Sequence, residues 1–185
     1  MSQDLSIYTE DYYLRDQIEF YFKREGLLRP DELACICYSL GWMFFGDEQV
    51  EPRDPGLIYS IGCGTGEWET KMENMGYTVV GVDPSEGANK LYKGKKIVRK
   101  YPGGGDTIVF CESIEHIPSD QLDKILSVIP KKARIIIVNW VAYHPIIPDG
   151  TPDHITRIDD DFYDKLSKGR KVIVRNGSHL VLDGC

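Results

Sequence analysis

Ile61-Gly62-Cys63-Gly64-Thr65-Gly66 sets three glycines at alternate positions between two contrasting stretches. Before it runs the short apolar segment Leu57-Ile58-Tyr59-Ser60-Ile61, whose length suits a buried strand. After it, Gly66 to Met75 reads as a helix that Gly76 stops. A strand, a glycine turn and a helix in that order open a parallel α/β sheet and exclude an all-β or all-helical design. Glycines at such a turn accept positive φ and let a ligand touch backbone without a Cβ in the way. The spacing is GxGxG, not the GxGxxG of dinucleotide sites, which disfavours a nicotinamide dehydrogenase.

The rest of the chain continues the alternation. Thr78–Val82, Ile97–Val98, Thr107–Cys111 and Arg134–Trp140 read as further strands. Helices are expected over Pro84–Tyr92, over Ser119–Ile129 with Ser119 as cap, and over Asp159–Leu166. Lys171–Arg175 and His179–Leu182, joined through Asn176-Gly177, read as an antiparallel hairpin. The expected fold is α/β: a Rossmann-like, seven-stranded, mostly parallel sheet with a C-terminal antiparallel hairpin and one reversed strand. Two N-terminal helices precede it, over Tyr12–Glu25 and from Pro30 to about Phe45, and residues 47–56 read as a linker. The division is therefore an N-terminal helical extension, residues 1–50, and a sheet domain, residues 51–185.

Asp83 ends the second strand, 17 residues past Gly66. In a doubly wound sheet a ligand lies beyond the carboxyl ends of the strands, and an acid there accepts hydrogen bonds from ribose hydroxyls. On these residues the chain resembles the class I S-adenosylmethionine (SAM)-dependent methyltransferases. Ile58–Gly66 resembles their first motif, Val80-Gly81-Val82-Asp83-Pro84-Ser85 their second, and Asp106–Ile117 their fourth strand and following loop. The resemblance implies SAM as cofactor, with Ile61, Gly62, Cys63, Gly64, Gly66, Asp83, Pro84, Glu112 and Ser113 binding it. It also makes Glu115 and His116 the candidate catalytic pair, as acid, base or ligand beside the acceptor; their alternative role is to fix the start of the next helix.

Two departures stand out. The family usually has an acid two positions before the first glycine, where this chain has Ser60, so a looser hold on the cofactor is expected. Tyr101-Pro102-Gly103-Gly104-Gly105 is a tight connection where the family usually has a helix. A narrower resemblance is to the small-RNA 3′-terminal 2′-O-methyltransferases, through Glu112-x-x-Glu115-His116 and the distant Asp153-His154. It implies Glu112, Glu115, His116 and His154 around a divalent cation. Asn139-Trp140-Val141 stands where that family has Thr-Pro-Asn, and no metal is assigned.

The acceptor is left as a small molecule or an RNA end. Tyr143–Arg157, with three prolines, His144 and His154, is either the acceptor wall or a rigid crossover. Lys90, Lys93, Lys95, Lys96, Arg99 and Lys100 either track phosphates or shield an edge strand. Net charge is −7, and residues 1–60 hold 12 acids against 5 bases, so the excess sits in the N-terminal third. That balance opposes non-specific coating of nucleic acid. Five cysteines without a CxxC pair, no signal-like start and no long apolar run point to a cytoplasmic protein off the membrane. Methyl transfer is the leading function. A non-catalytic relative that binds a nucleoside or a partner is the alternative.

Overall fold

The computed structural model describes residues 9–10, 54–139, 156–175 and 179–184. The two N-terminal helices, the hairpin turn Asn176-Gly177, Trp140 and the segment holding Tyr143, His144 and His154 lie outside the described residues.

Seven strands form one sheet in the order β3-β2-β1-β4-β5-β7-β6. They are β1 (Leu57–Ile61), β2 (Thr78–Val82), β3 (Ile97–Val98), β4 (Thr107–Cys111), β5 (Arg134–Val138), β6 (Lys171–Arg175) and β7 (His179–Asp183). The first five pair in parallel, β7 runs antiparallel to β5, and β6 antiparallel to β7. One strand is thus reversed, as the sequence predicts. The helices are α1 (Glu67–Asn74), α2 (Glu86–Leu91), α3 (Ser119–Val128) and α4 (Asp160–Ser167), with a 3-10 turn at Ile114–His116.

Alternation along the central strands builds two apolar layers. Ile108, Phe110, Ile135, Ile137, Leu180 and Leu182 face Leu122 of α3 and Tyr163 of α4. Val109, Ile136, Val138 and Val181 face the other way, where Trp68 and Met72 of α1 pack on them. Each fully buried branched side chain is worth roughly 1.5–3 kcal/mol, so β4, β5 and β7 form the rigid floor from which the site loops project.

Helix limits differ from the sequence reading mainly at their ends. Ser119 is the first residue of α3 rather than its cap. Pro118 occupies the cap position and makes no side-chain cap bond. Ser85 and Asp159 do cap α2 and α4, accepting from the amides of Ala88 and Phe162. Between β3 and β4 the chain turns directly through Gly103, Gly104 and Gly105, at φ 83°, 84° and 85°. Tyr101 donates to the Gly104 carbonyl and stacks edge-on against Tyr59 at 5.2 Å, which closes this turn without a helix. β3 is a sheet edge, as expected. Lys90 of α2 is paired with Glu10 and Glu86, and Lys93, ahead of β3, with Glu67.

Candidate active site

The glycine loop lies at the carboxyl ends of β1 and β2. The Val82 carbonyl accepts from the amides of Gly62 (2.7 Å) and Cys63 (3.3 Å), and the Cys63 carbonyl from Gly66 (3.1 Å). Gly62, Gly64 and Gly66 have φ of 73°, 52° and 78°, in the left-handed region that glycine enters without strain. Two of the glycines are also required from behind. A Cβ on Gly62 would stand 2.5 Å from Ser113 Cβ, and one on Gly66 would stand 2.5 Å from Tyr92 Cε2. The Gly62 carbonyl receives no hydrogen bond among the described residues. It offers an acceptor on a bare backbone.

Asp83 closes the loop from the β2 side. Its Oδ2 accepts from the Gly64 amide (3.1 Å), and its Oδ1 from the Ser85 amide (2.9 Å) and hydroxyl (2.7 Å). Burial raises its pKa, while the bonds from Ser85 and Gly64 pull it back. Pro84 beside it is exposed. Asn89 Nδ2 donates to the carbonyls of both Asp83 and Ser85 at 2.7 Å, fixing the turn into α2.

Beneath the loop sits a pair that the motifs did not disclose. Ser60 Oγ donates to Glu69 Oε1 at 2.6 Å, with both side chains buried. Burial, with help from Asp83 and Glu73, pushes the Glu69 carboxyl up to about 8 against the bond from Ser60. Its Oε2 has no hydrogen-bond partner among the described residues. The Cys63 thiol is pushed up by burial, then by Glu69 and Asp83, so it stays protonated and is a poor nucleophile. The absent acid on β1 is thus matched by a buried one on α1. The signal in the sequence was a glutamate set between Trp68 and Met72 on the buried side of a helix.

The loop after β4 meets the glycine loop through Ser113, whose Oγ donates to the Ile61 carbonyl at 2.6 Å. Glu112 holds φ 50°, the only non-glycine residue with positive φ among those described. Such strain clusters at functional sites. Glu115 is 2% exposed, and its Oε2 accepts from Asn139 Nδ2 at 3.0 Å. Its Oε1 lies 3.8 Å from His116 Nε2, and the His116 side chain is 22% exposed. Glu115 is therefore the buried member of the pair and His116 the one that meets solvent. The Thr156 amide donates to the Glu115 carbonyl, so this turn also anchors the chain that returns to the sheet. Burial, then Glu115 and Glu112, push the Tyr163 phenol up to about 12. Its hydroxyl is buried with no partner among the described residues.

The structure thus brings Ile61–Gly66, Asp83 and Ser113 into one hydrogen-bonded group, with Glu112 flanking it and Glu115–His116 on the adjoining turn. Among the described residues no three His, Cys, Asp or Glu side chains gather as metal ligands. His154 lies outside them.

Residues 43–146 match the model of a family described as "Methyltransferase domain". No curated protein matches the chain. Among solved structures it is similar to a SAM dependent methyltransferase from Archaeoglobus fulgidus, with TM-score 0.59 and 19% identity, covering 86% of this chain and 75% of that one. A mycolic acid cyclopropane synthase complexed with SAH and CTAB has TM-score 0.59 and 14% identity, over 94% of this chain and 77% of that one. The magnesium protoporphyrin IX methyltransferase of Synechocystis PCC 6803 with bound SAH has TM-score 0.52 and 13% identity, over 94% and 95%. At these identities the likeness is one of fold.

Proposed function

The chain belongs to the methyltransferase-domain family, and from that premise we propose that it moves a methyl group from SAM to an oxygen or nitrogen atom of an acceptor. The residues present suit the donor. A run of positive-φ glycines leaves the backbone bare, and the Gly62 carbonyl accepts no hydrogen bond from the described residues. The contact between the Gly64 amide and Asp83 carries the reading, because it sets the cradle and the carboxylate at one fixed spacing.

When bound, the cofactor supplies a methyl group already activated on a sulfonium, so the protein's task is alignment more than bond polarisation. Ile61, Gly62, Cys63, Gly64 and Gly66 form the cradle. Asp83 and Pro84 border the ribose end, with Asp83 accepting on a lone pair not used by Gly64 or Ser85. Glu112 and Ser113 border the methionine end. Glu115 lies beside the His116 imidazole, and the imidazole takes the proton released by an acceptor hydroxyl or amine. The division we propose is the one read from the sequence, an N-terminal extension of residues 1–50 and a catalytic domain of residues 51–185. The acceptor is a small molecule or an RNA end, and the protein works in the cytoplasm. No helix among the described residues is long and apolar enough to cross a membrane.

A relative that binds the nucleoside without turnover is the second reading. It is favoured by the commitment of both Asp83 oxygens to protein donors. Calorimetric titration with S-adenosylhomocysteine (SAH) and with NADH tests the shared premise. Saturable SAH binding supports it. NADH binding without any response to SAH would overturn both readings. Turnover of labelled SAM against acceptor pools then separates enzyme from binder.

A further inference from the structure

Glu69 is the one wholly buried acid under the glycine loop that keeps an oxygen without a partner among the described residues. An ionised carboxylate in such a place needs a cation or a full set of donors. The groups that face it supply neither. They are the Ser60 hydroxyl from β1 (2.6 Å), the Cys63 thiol from the loop, Glu73 one turn on in α1, Asp83 from the end of β2, and Tyr92 after α2. Four of these are acids or weak acids, and none is cationic. Glu73 is no relief, because both its oxygens already accept from the Lys95 amide.

Resting on the reading above, we propose that Glu69 is the counter-charge that the protein holds for the sulfonium of the methyl donor, a positioning residue that acts through Ser60 and the glycine loop. The donor carries a positive sulfur and the thioether product does not, so Glu69 favours the donor and lets the product go. The protonated carboxyl keeps the empty site stable. Arrival of a cation at the loop lowers its pKa and expels the proton. Only the carboxyl O–H bond of Glu69 is broken: its electron pair stays on the carboxylate and the proton passes to buffer.

The test is calorimetric titration of SAM and of SAH into the same protein near pH 7, each in phosphate and in Tris. The two buffers differ in ionisation enthalpy, so the comparison counts protons released on binding. Near pH 7 the α-amino group of either ligand is mostly protonated, so at that pH the difference between them reports chiefly the sulfonium. SAM is expected to release more protons than SAH, by up to about one, since Glu69 is mostly protonated below its raised pKa. In Glu69→Gln the difference disappears, SAH still binds, and the preference for SAM over SAH falls about tenfold, a typical worth for one buried charge contact. Equal proton release by both ligands in the wild type, or an unchanged difference in Glu69→Gln, overturns the proposal. Should Glu69→Gln not fold, the wild type alone decides. A SAM-minus-SAH difference near zero at about pH 7 then overturns the idea. Failure of SAH to bind at all would instead sink the methyltransferase reading.

Discussion

Asp83 Oδ2 accepts the Gly64 amide at 3.1 Å across nineteen positions of sequence, so the acid expected to meet a ribose also holds the loop that would carry the rest of the ligand. Removing it should hurt twice. Asp83→Ala is expected to cost roughly 1–3 kcal/mol of stability, because the Gly64 amide and Ser85 hydroxyl lose a buried acceptor. It should also weaken SAH binding at least about tenfold, a loss of ~1.4 kcal/mol or more. Urea denaturation and calorimetry read the two effects separately. Unchanged SAH affinity would remove Asp83 from the site.

Gly66 faces the Tyr92 ring, and a Cβ there would lie 2.5 Å from Cε2 at a φ of 78°. Gly66→Ala therefore combines a left-handed backbone penalty of about 1 kcal/mol with a steric clash. The expected loss is about 2–3 kcal/mol in urea denaturation. In the background of Tyr92→Ala the same substitution should cost about 1 kcal/mol, the backbone part alone. Strict additivity of the two changes would show that Tyr92 does not press on the loop.

The strands were legible because glycine or an acid ends each one at the site. Gly62 closes β1, Asp83 closes β2 and Glu112 follows β4. The glycine loop and Asp83 were legible for the same reason, as they are local patterns with a local physical cause. What stayed hidden depends on contacts that cross elements. Tyr92 meets Gly66 only after α2 has folded back, and Asn139 meets Glu115 only once β5 lies beside β4. Glu69 was hidden by its type, because a helical glutamate reads as solvated until its neighbours Trp68 and Met72 are seen to be buried. The Ser119 cap failed for a simpler reason, since Pro118 takes the turn position one residue earlier.

Glu115 and Asn139 offer a check on whether the catalytic pair is organised as described. Glu115→Ala leaves the Asn139 amide group buried without its acceptor, at a cost of about 1–3 kcal/mol. Glu115→Gln keeps an acceptor oxygen and should fold within about 1 kcal/mol of the wild type. If thermal denaturation ranks the two variants equally, the bond to Asn139 is not what fixes Glu115.

Arg134 and Asp183 join β5 to β7 on the far edge of the parallel block. Nε reaches Oδ1 at 2.7 Å and Nη2 reaches Oδ2 at 3.2 Å, with Arg134 4% exposed and Asp183 20%. Asp183→Asn strands a buried guanidinium and should cost about 3 kcal/mol. Replacing both, Arg134→Met with Asp183→Leu, should cost clearly less, because no unpaired charge remains. Urea midpoints of the single and double variants decide this, and a double variant worse than the single would contradict it.

Glu69 also fixes the direction in which stability changes with pH. Its carboxyl has an ordinary value of 4.5 in the open chain and is raised to about 8 in the fold, with burial as the main cause. Between those values the unfolded chain has lost a proton that the folded chain keeps. The unfolded state then binds fewer protons, so stability falls as pH rises. The contribution is fully present below about 4.5, declines through neutrality and is gone above about 8. Glu69→Gln carries no such proton. Its urea-denaturation stability should therefore match the wild type near about pH 5 and exceed it by a few kcal/mol near about pH 9. Asp83, whose pKa burial also raises, adds a slope of the same sign to both proteins and cancels in their difference. Parallel stability profiles for the two proteins across that range would mean that the Ser60–Glu69 pair carries no proton that folding controls.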